Sequence, residues 1–71
     1  MKLNTKYLRD IRKSTVGNRG KALSREELAY EIDISTRTLM KLETQEDFNP
    51  KICTLYRLAK YFNVSLDNFV I

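Results

Sequence analysis

A chain of 71 residues has room for one small domain with a single economical core, at a size where folding buries only about 60% of the surface the unfolded chain exposes. Hydrophobic residues at 42% and charged residues at 31% suit a compact globular protein rather than a disordered one. Histidine is absent and Cys53 is the only cysteine, which removes intrachain zinc sites, disulfides and Cys-His nucleophiles, while a net charge of +4 suits a polyanionic partner without naming one.

No apolar run approaches the roughly 18 residues of a membrane span, and the opening MKLNTKYLRD lacks the apolar centre of a signal peptide, so the expected location is the cytoplasm. With two glycines, one proline and no β-branched alternation, strands are poorly supported. Apolar residues recur at helical spacing instead.

Five helices are predicted, and each start shows the same local device: an apolar residue, a capping Ser or Asn, then a second apolar residue four positions after the cap. The cap side chain accepts a hydrogen bond from a free amide while the apolar pair closes over the first turn. The first helix, 4–14, begins at Leu3-Asn4 with Leu8 and carries Leu3, Tyr7, Leu8 and Ile11 on one face. The segment 15–22 holds both glycines and reads as a long, basic loop.

The second helix, 24–32, starts at Leu23-Ser24 with Leu28. Its run Ser24-Arg25-Glu26-Glu27 is a capping box in which Glu27 can reach back to the Ser24 amide, and Leu28, Ala29 and Ile32 form its apolar face. The third, 35–43, starts at Ile34-Ser35 with Leu39, which leaves only Asp33 and Ile34 between two helices. A turn this tight needs a residue with positive φ, and Asp33 is expected to supply it. The fourth, 49–61, starts at Phe48-Asn49 with Cys53 and places Pro50 at the first helical position. Its face is Ile52, Leu55, Tyr56, Leu58, Ala59 and Phe62, with Cys53 expected as a small buried apolar side chain. The fifth, 65–70, starts at Val64-Ser65 with Phe69. Phe69, Val70 and Ile71 are expected either to form part of a dimer surface or to close the core.

The run LAYEIDISTRTLMKLE from Leu28 to Glu43 resembles the helix-turn-helix signature of the lambda-repressor and Cro-like, or XRE, family. Ala29 stands where that family places a small residue, and Ile34 and Leu39 stand at its inward positions. Leu8 to Arg12 resembles the family's first helix, Asn49 to Val64 its fourth, and Ser65 to Phe69 its fifth, so the likeness covers nearly the whole chain. It departs in a longer connection between the first two helices, in Asp33 where Gly is common, and in the acidic pair Glu46-Asp47.

The resemblance implies an all-α, compact five-helix lambda-repressor-like DNA-binding domain with its helix-turn-helix over about residues 24–43. It also implies a transcriptional regulator, acting as a repressor, that binds double-stranded DNA sequence-specifically as a homodimer on a palindromic operator. No cofactor, membrane or small-molecule ligand is implied. Carried over by position, Thr36, Arg37, Met40 and Lys41 are expected to face base edges in the major groove. Ser24, Arg25, Thr44, Asn49 and Lys51 fall at backbone-contacting places, where helix starts offer free amides to phosphate. Arg12 and Glu43 resemble a structural ion pair of the family.

Arg19 and Lys21 precede the second helix closely and are candidates for further phosphate contact; the alternative is a flexible, solvated loop. The four tyrosines are expected to be half-buried packing residues rather than base-stacking platforms. The competing function is a protein-interaction module of the same fold, antitoxin-like or an adaptor. An enzyme is disfavoured because no set of nucleophile, base and oxyanion donors can be named.

Overall fold

A computed structural model describes residues 2–71. The order of elements is α1 (Thr5–Lys13), α2 (Arg25–Glu31), α3 (Thr36–Thr44), α4 (Ile52–Phe62) and a short 3-10 helix (Leu66–Phe69). Four α-helices therefore stand where five were expected. The caps at Asn4, Ser24, Ser35 and Ser65 accept from the backbone amides of Tyr7, Glu27, Thr38 and Asp67, so the Ser and Asn signals mark four of the five starts.

The fifth element fails as an α-helix because Val70 is drawn into extended backbone, with φ −126° and ψ 153°. Val70 forms an antiparallel bridge with Leu3, and Ile71 N–H donates to the Lys2 carbonyl at 2.8 Å. The chain ends are thus tied side by side, and only one 3-10 turn fits before them. Phe69 is fully buried and closes the core, whereas Ile71 is exposed.

The fourth start also lies elsewhere than expected. Lys51, not Asn49, is the cap of α4, and it makes no side-chain capping bond. The residues of α4 that reach the core are Thr54, Leu55, Leu58 and Ala59. At about 100° per residue, Cys53 then sits on the opposite side of the axis. Cys53 is accordingly exposed rather than buried, and Ile52 is 71% exposed. The tyrosine expectation fails in the same way. Tyr7 is half-buried, but Tyr30, Tyr56 and Tyr61 are exposed, Tyr30 because it follows Leu28 and Ala29 onto the outer side of α2.

Leucines dominate the core, with Leu3, Leu8, Leu23, Leu28, Leu39, Leu42, Leu55 and Leu58 joined by Phe69. Helix α3 packs against both α1 and α2, and the 3-10 helix joins α1 to α4. The sharp α2–α3 connection works as the sequence implies. Asp33 has φ 58°, and Ile34 N–H reaches back to the Ala29 carbonyl at 3.0 Å, the six-to-one bond of a Schellman ending. Asn63, also left-handed at φ 56°, ends α4 the same way through Val64 N–H on the Ala59 carbonyl at 3.0 Å.

Candidate nucleic-acid interface

Helix α3 spends Leu39, Leu42 and Glu43 on the interior. With 3.6 residues per turn, Thr36, Met40 and Thr44 align on the outside, and Arg37 and Lys41 flank them. Thr36, Arg37, Met40 and Thr44 are exposed, while Lys41 is half-buried with its ammonium 5.6 Å from the centroid of the Phe48 ring. The four residues expected to face base edges therefore share one face of one helix. Thr44 lies on that face too, although its hydroxyl donates to the Met40 carbonyl at 2.7 Å.

The orientation of that face rests on Glu43, which has no exposed surface. Arg12 from α1 grips the carboxylate with two nitrogens, Nε to Oε2 at 2.8 Å and Nη2 to Oε1 at 3.1 Å. Arg12 Nη1 also donates to the Leu23 carbonyl at 2.9 Å. Arg25 from α2 adds a third contact, Nε to Oε1 at 2.9 Å, and Arg9 donates to the Glu43 backbone carbonyl. Three helices thus converge on one side chain, and every buried polar side-chain atom among the described residues has a partner.

Two of these participants escaped sequence reasoning. Arg9 lies one helical turn before Arg12, a spacing that could have flagged it. For Arg25 the position at the start of α2 pointed to an anion in solution, and its partner inside the protein carried no local signal. Its side chain remains 34% exposed, with only Nε engaged by Glu43. Arg57 was also unforeseen: its Nη1 reaches the carbonyls of Ile32 and Asp33, both at 3.4 Å, and so ties α4 to the turn.

The remaining candidates fall in two places. Asn49 and Lys51 are exposed in the connection to α4 and line a surface groove of about 490 Å³ with Ser35 and Thr38 at the start of α3. Ser24 is half-buried, its hydroxyl oxygen taken by the Glu27 amide at 3.1 Å. Glu27 does not reach back to complete the capping box; its Oε2 accepts from the Asn18 amide at 3.1 Å instead. Arg19 and Lys21 are exposed on a segment that turns back on itself, with an antiparallel bridge between Val16 and Ala22.

Among the described residues no helix is long and apolar enough to cross a membrane. The family model for helix-turn-helix proteins matches residues 20–69. The chain is also similar to an uncharacterised HTH-type transcriptional regulator of Rickettsia prowazekii (strain Madrid E), 41% identical over 32 residues that make up 45% of this chain. That stretch spans 35% of the relative's own length. No solved structure matches.

Proposed function

The chain belongs to the helix-turn-helix family, a family of DNA-binding proteins, and from that premise we propose that it is a transcriptional regulator which reads duplex DNA with α3 in the major groove. The observation that carries this reading is the single exposed face of α3, where Thr36, Arg37, Met40 and Lys41 stand together on a helix clamped from behind through Glu43. A helix of this width fits the major groove. Arg37 reads guanine through O6 and N7, Thr36 and Lys41 contact neighbouring base edges, and Met40 meets a thymine methyl.

Ser24, Arg25, Thr44, Asn49 and Lys51 supply contacts to backbone phosphate, which set register but carry no sequence information. One domain of this size covers little DNA, so two copies bind a palindromic operator with half-sites about one helical turn apart. Occupying such a site at a promoter represses transcription. The test is a mobility shift with random duplex DNA across a salt series. Retention at low salt that falls linearly on a log-log plot supports the reading, and no retention at low salt refutes it.

A further inference from the structure

The segment between α1 and α2, residues 14–24, forms a small hairpin of defined shape. Gly17 N–H donates to the Lys21 carbonyl at 2.7 Å and Leu23 N–H to the Thr15 carbonyl at 2.8 Å, on either side of the Val16–Ala22 bridge. Gly20 turns the tip with φ +74°, a conformation that suits glycine because it has no Cβ. Glu27 of α2 then fixes the hairpin from the side. Its Oε2 accepts the Asn18 amide at 3.1 Å, and the same carboxylate lies so near Gly17 that a Cβ there would sit 2.9 Å from Oε2. A side chain at position 17 would push the Glu27 carboxylate aside.

The hairpin presents Arg19 and Lys21, both exposed, and neither joins any of the ion pairs found among the described residues, which are Lys6–Asp10, Arg12–Glu43 and Arg25–Glu43. Beneath them lies a groove of about 390 Å³ that they share with Ser24, Glu26 and Glu27. Two cations against two carboxylates cancel inside that groove, so it is a poor seat for a single small anion. Both cations are nonetheless exposed, so an extended polyanion passing over the hairpin can meet both.

We infer that the hairpin is a preformed contact for the DNA sugar-phosphate backbone, latched by Glu27, which lengthens the footprint of the domain beyond α3 and the loops beside it. The inference rests on the DNA-binding reading above and adds to it a surface and a device. Holding Arg19 and Lys21 on an ordered hairpin spares the entropy that a free loop loses on binding. Because phosphate carries no sequence information, the hairpin contributes affinity and salt dependence, and leaves base preference to α3.

The experiment uses the intact chain on a duplex selected from random sequence. Replacing both cations, Arg19→Ala with Lys21→Ala, is expected to reduce the slope of log affinity against log salt by about two, to shorten the hydroxyl-radical footprint at its outer edge, and to leave the selected sequence unchanged. Glu27→Ala, with both cations intact, is expected to lower the slope in the same direction and to speed hydrogen exchange at the Asn18 amide. Glu27→Gln keeps an acceptor oxygen and is expected to retain the parent slope. Should Glu27→Ala fail to fold, the double substitution at two exposed positions decides the matter. An unchanged slope and footprint in the double variant, on DNA the parent binds, overturns the inference alone. Failure of the parent to bind DNA overturns the underlying reading.

Discussion

Arg12→Ala removes three hydrogen bonds at once, two on Glu43 and one on the Leu23 carbonyl. What it leaves behind matters more than what it takes away. Glu43 has no exposed surface, so its charge cannot regain water, and its one remaining side-chain partner is Arg25, bound through Nε alone. Breaking a buried pair from one side costs about 3–5 kcal/mol because of the charge left uncompensated. A domain of 71 residues has a total stability of about 4–11 kcal/mol at 0.05–0.15 kcal/mol per residue. Arg12→Ala is therefore expected to lose at least about a quarter of it. Urea unfolding followed by circular dichroism measures the loss, and the melting temperature should fall by about 12 °C or more, at 4–8 °C per kcal/mol for this size. The joint replacement Arg12→Met with Glu43→Leu removes both charges and should cost less than Arg12→Ala alone, since Arg25 is partly exposed and can rehydrate. Arg12→Ala within about 1 kcal/mol of the parent, or a joint variant worse than the single, would refute the argument that the buried carboxylate governs the cost.

Arg37→Ala is expected to cost about 1–3 kcal/mol on a selected operator and to relax preference at one base pair, whereas Lys51→Ala weakens all sequences alike; equal losses for Arg37→Ala on selected and random DNA would contradict base reading. Arg25→Lys keeps a cation but loses the fixed Nε–H that meets Glu43. In a mobility shift the Arg25→Lys variant is expected to bind DNA as weakly as Arg25→Ala, because Glu43 aims the guanidinium through Nε; binding equal to the parent would refute this. Asp33→Gly relieves a left-handed residue and should raise stability in urea by about 0.5–1 kcal/mol, with Asp33→Ala giving no such gain; a loss on Asp33→Gly would count against strain at the turn. The hydrogen bond from Lys6 holds the Asp10 carboxyl below its ordinary value. A carboxyl lowered on folding adds stability that is present above its unfolded pKa and lost as pH falls through its folded pKa. Lys6→Ala should raise the Asp10 midpoint in an NMR titration and leave thermal stability at neutral pH nearly unchanged, as befits an exposed pair.

Helix starts were readable from the sequence wherever the cap was a Ser or Asn with a free hydroxyl or amide oxygen to offer, because capping is a local interaction between residues two or three apart. Asn49-Pro50 misled for the same reason. The pattern is locally valid, yet the helix begins later, at Ile52, with Lys51 as a cap whose side chain makes no capping bond. The exposure of Cys53 follows from helical phase alone, since Leu55, Leu58 and Ala59 put the core on the other side of the axis. Asp33 was readable because only it and the β-branched Ile34 stood between two helices, and Asp tolerates positive φ; Asn63 was equally well suited to positive φ, but nothing around it demanded a turn so tight. The 3-10 helix and the tied termini depend on Leu3 meeting Val70, a pairing across the full length of the chain that no local pattern announces. The same holds for the site. The outward face of α3 followed from subtracting Leu39 and Leu42, whereas Arg25 on Glu43 and Glu27 on the hairpin are contacts between distant segments that had plausible local assignments elsewhere.

The contacts on Glu43 also bear on how nine residues of α3 can serve the core and still present a fixed outward face. The apolar grip on α3 is slight, two leucines one turn apart, and leucine packing is non-directional enough to tolerate some rotation about the helix axis. A rotation of one residue, about 100°, would turn Arg37 away from the exposed face. Glu43 adds what the leucines lack. It is met by Arg12 from α1 and Arg25 from α2 through hydrogen bonds of fixed direction, and Arg9 holds its carbonyl. As an ion cluster it is a modest source of net stability, because removing three charges from water offsets much of the attraction. Its physical merit is directional: it sets the phase of α3 against both neighbours, and the proposed reading of base edges needs a helix whose outward residues are fixed in this way.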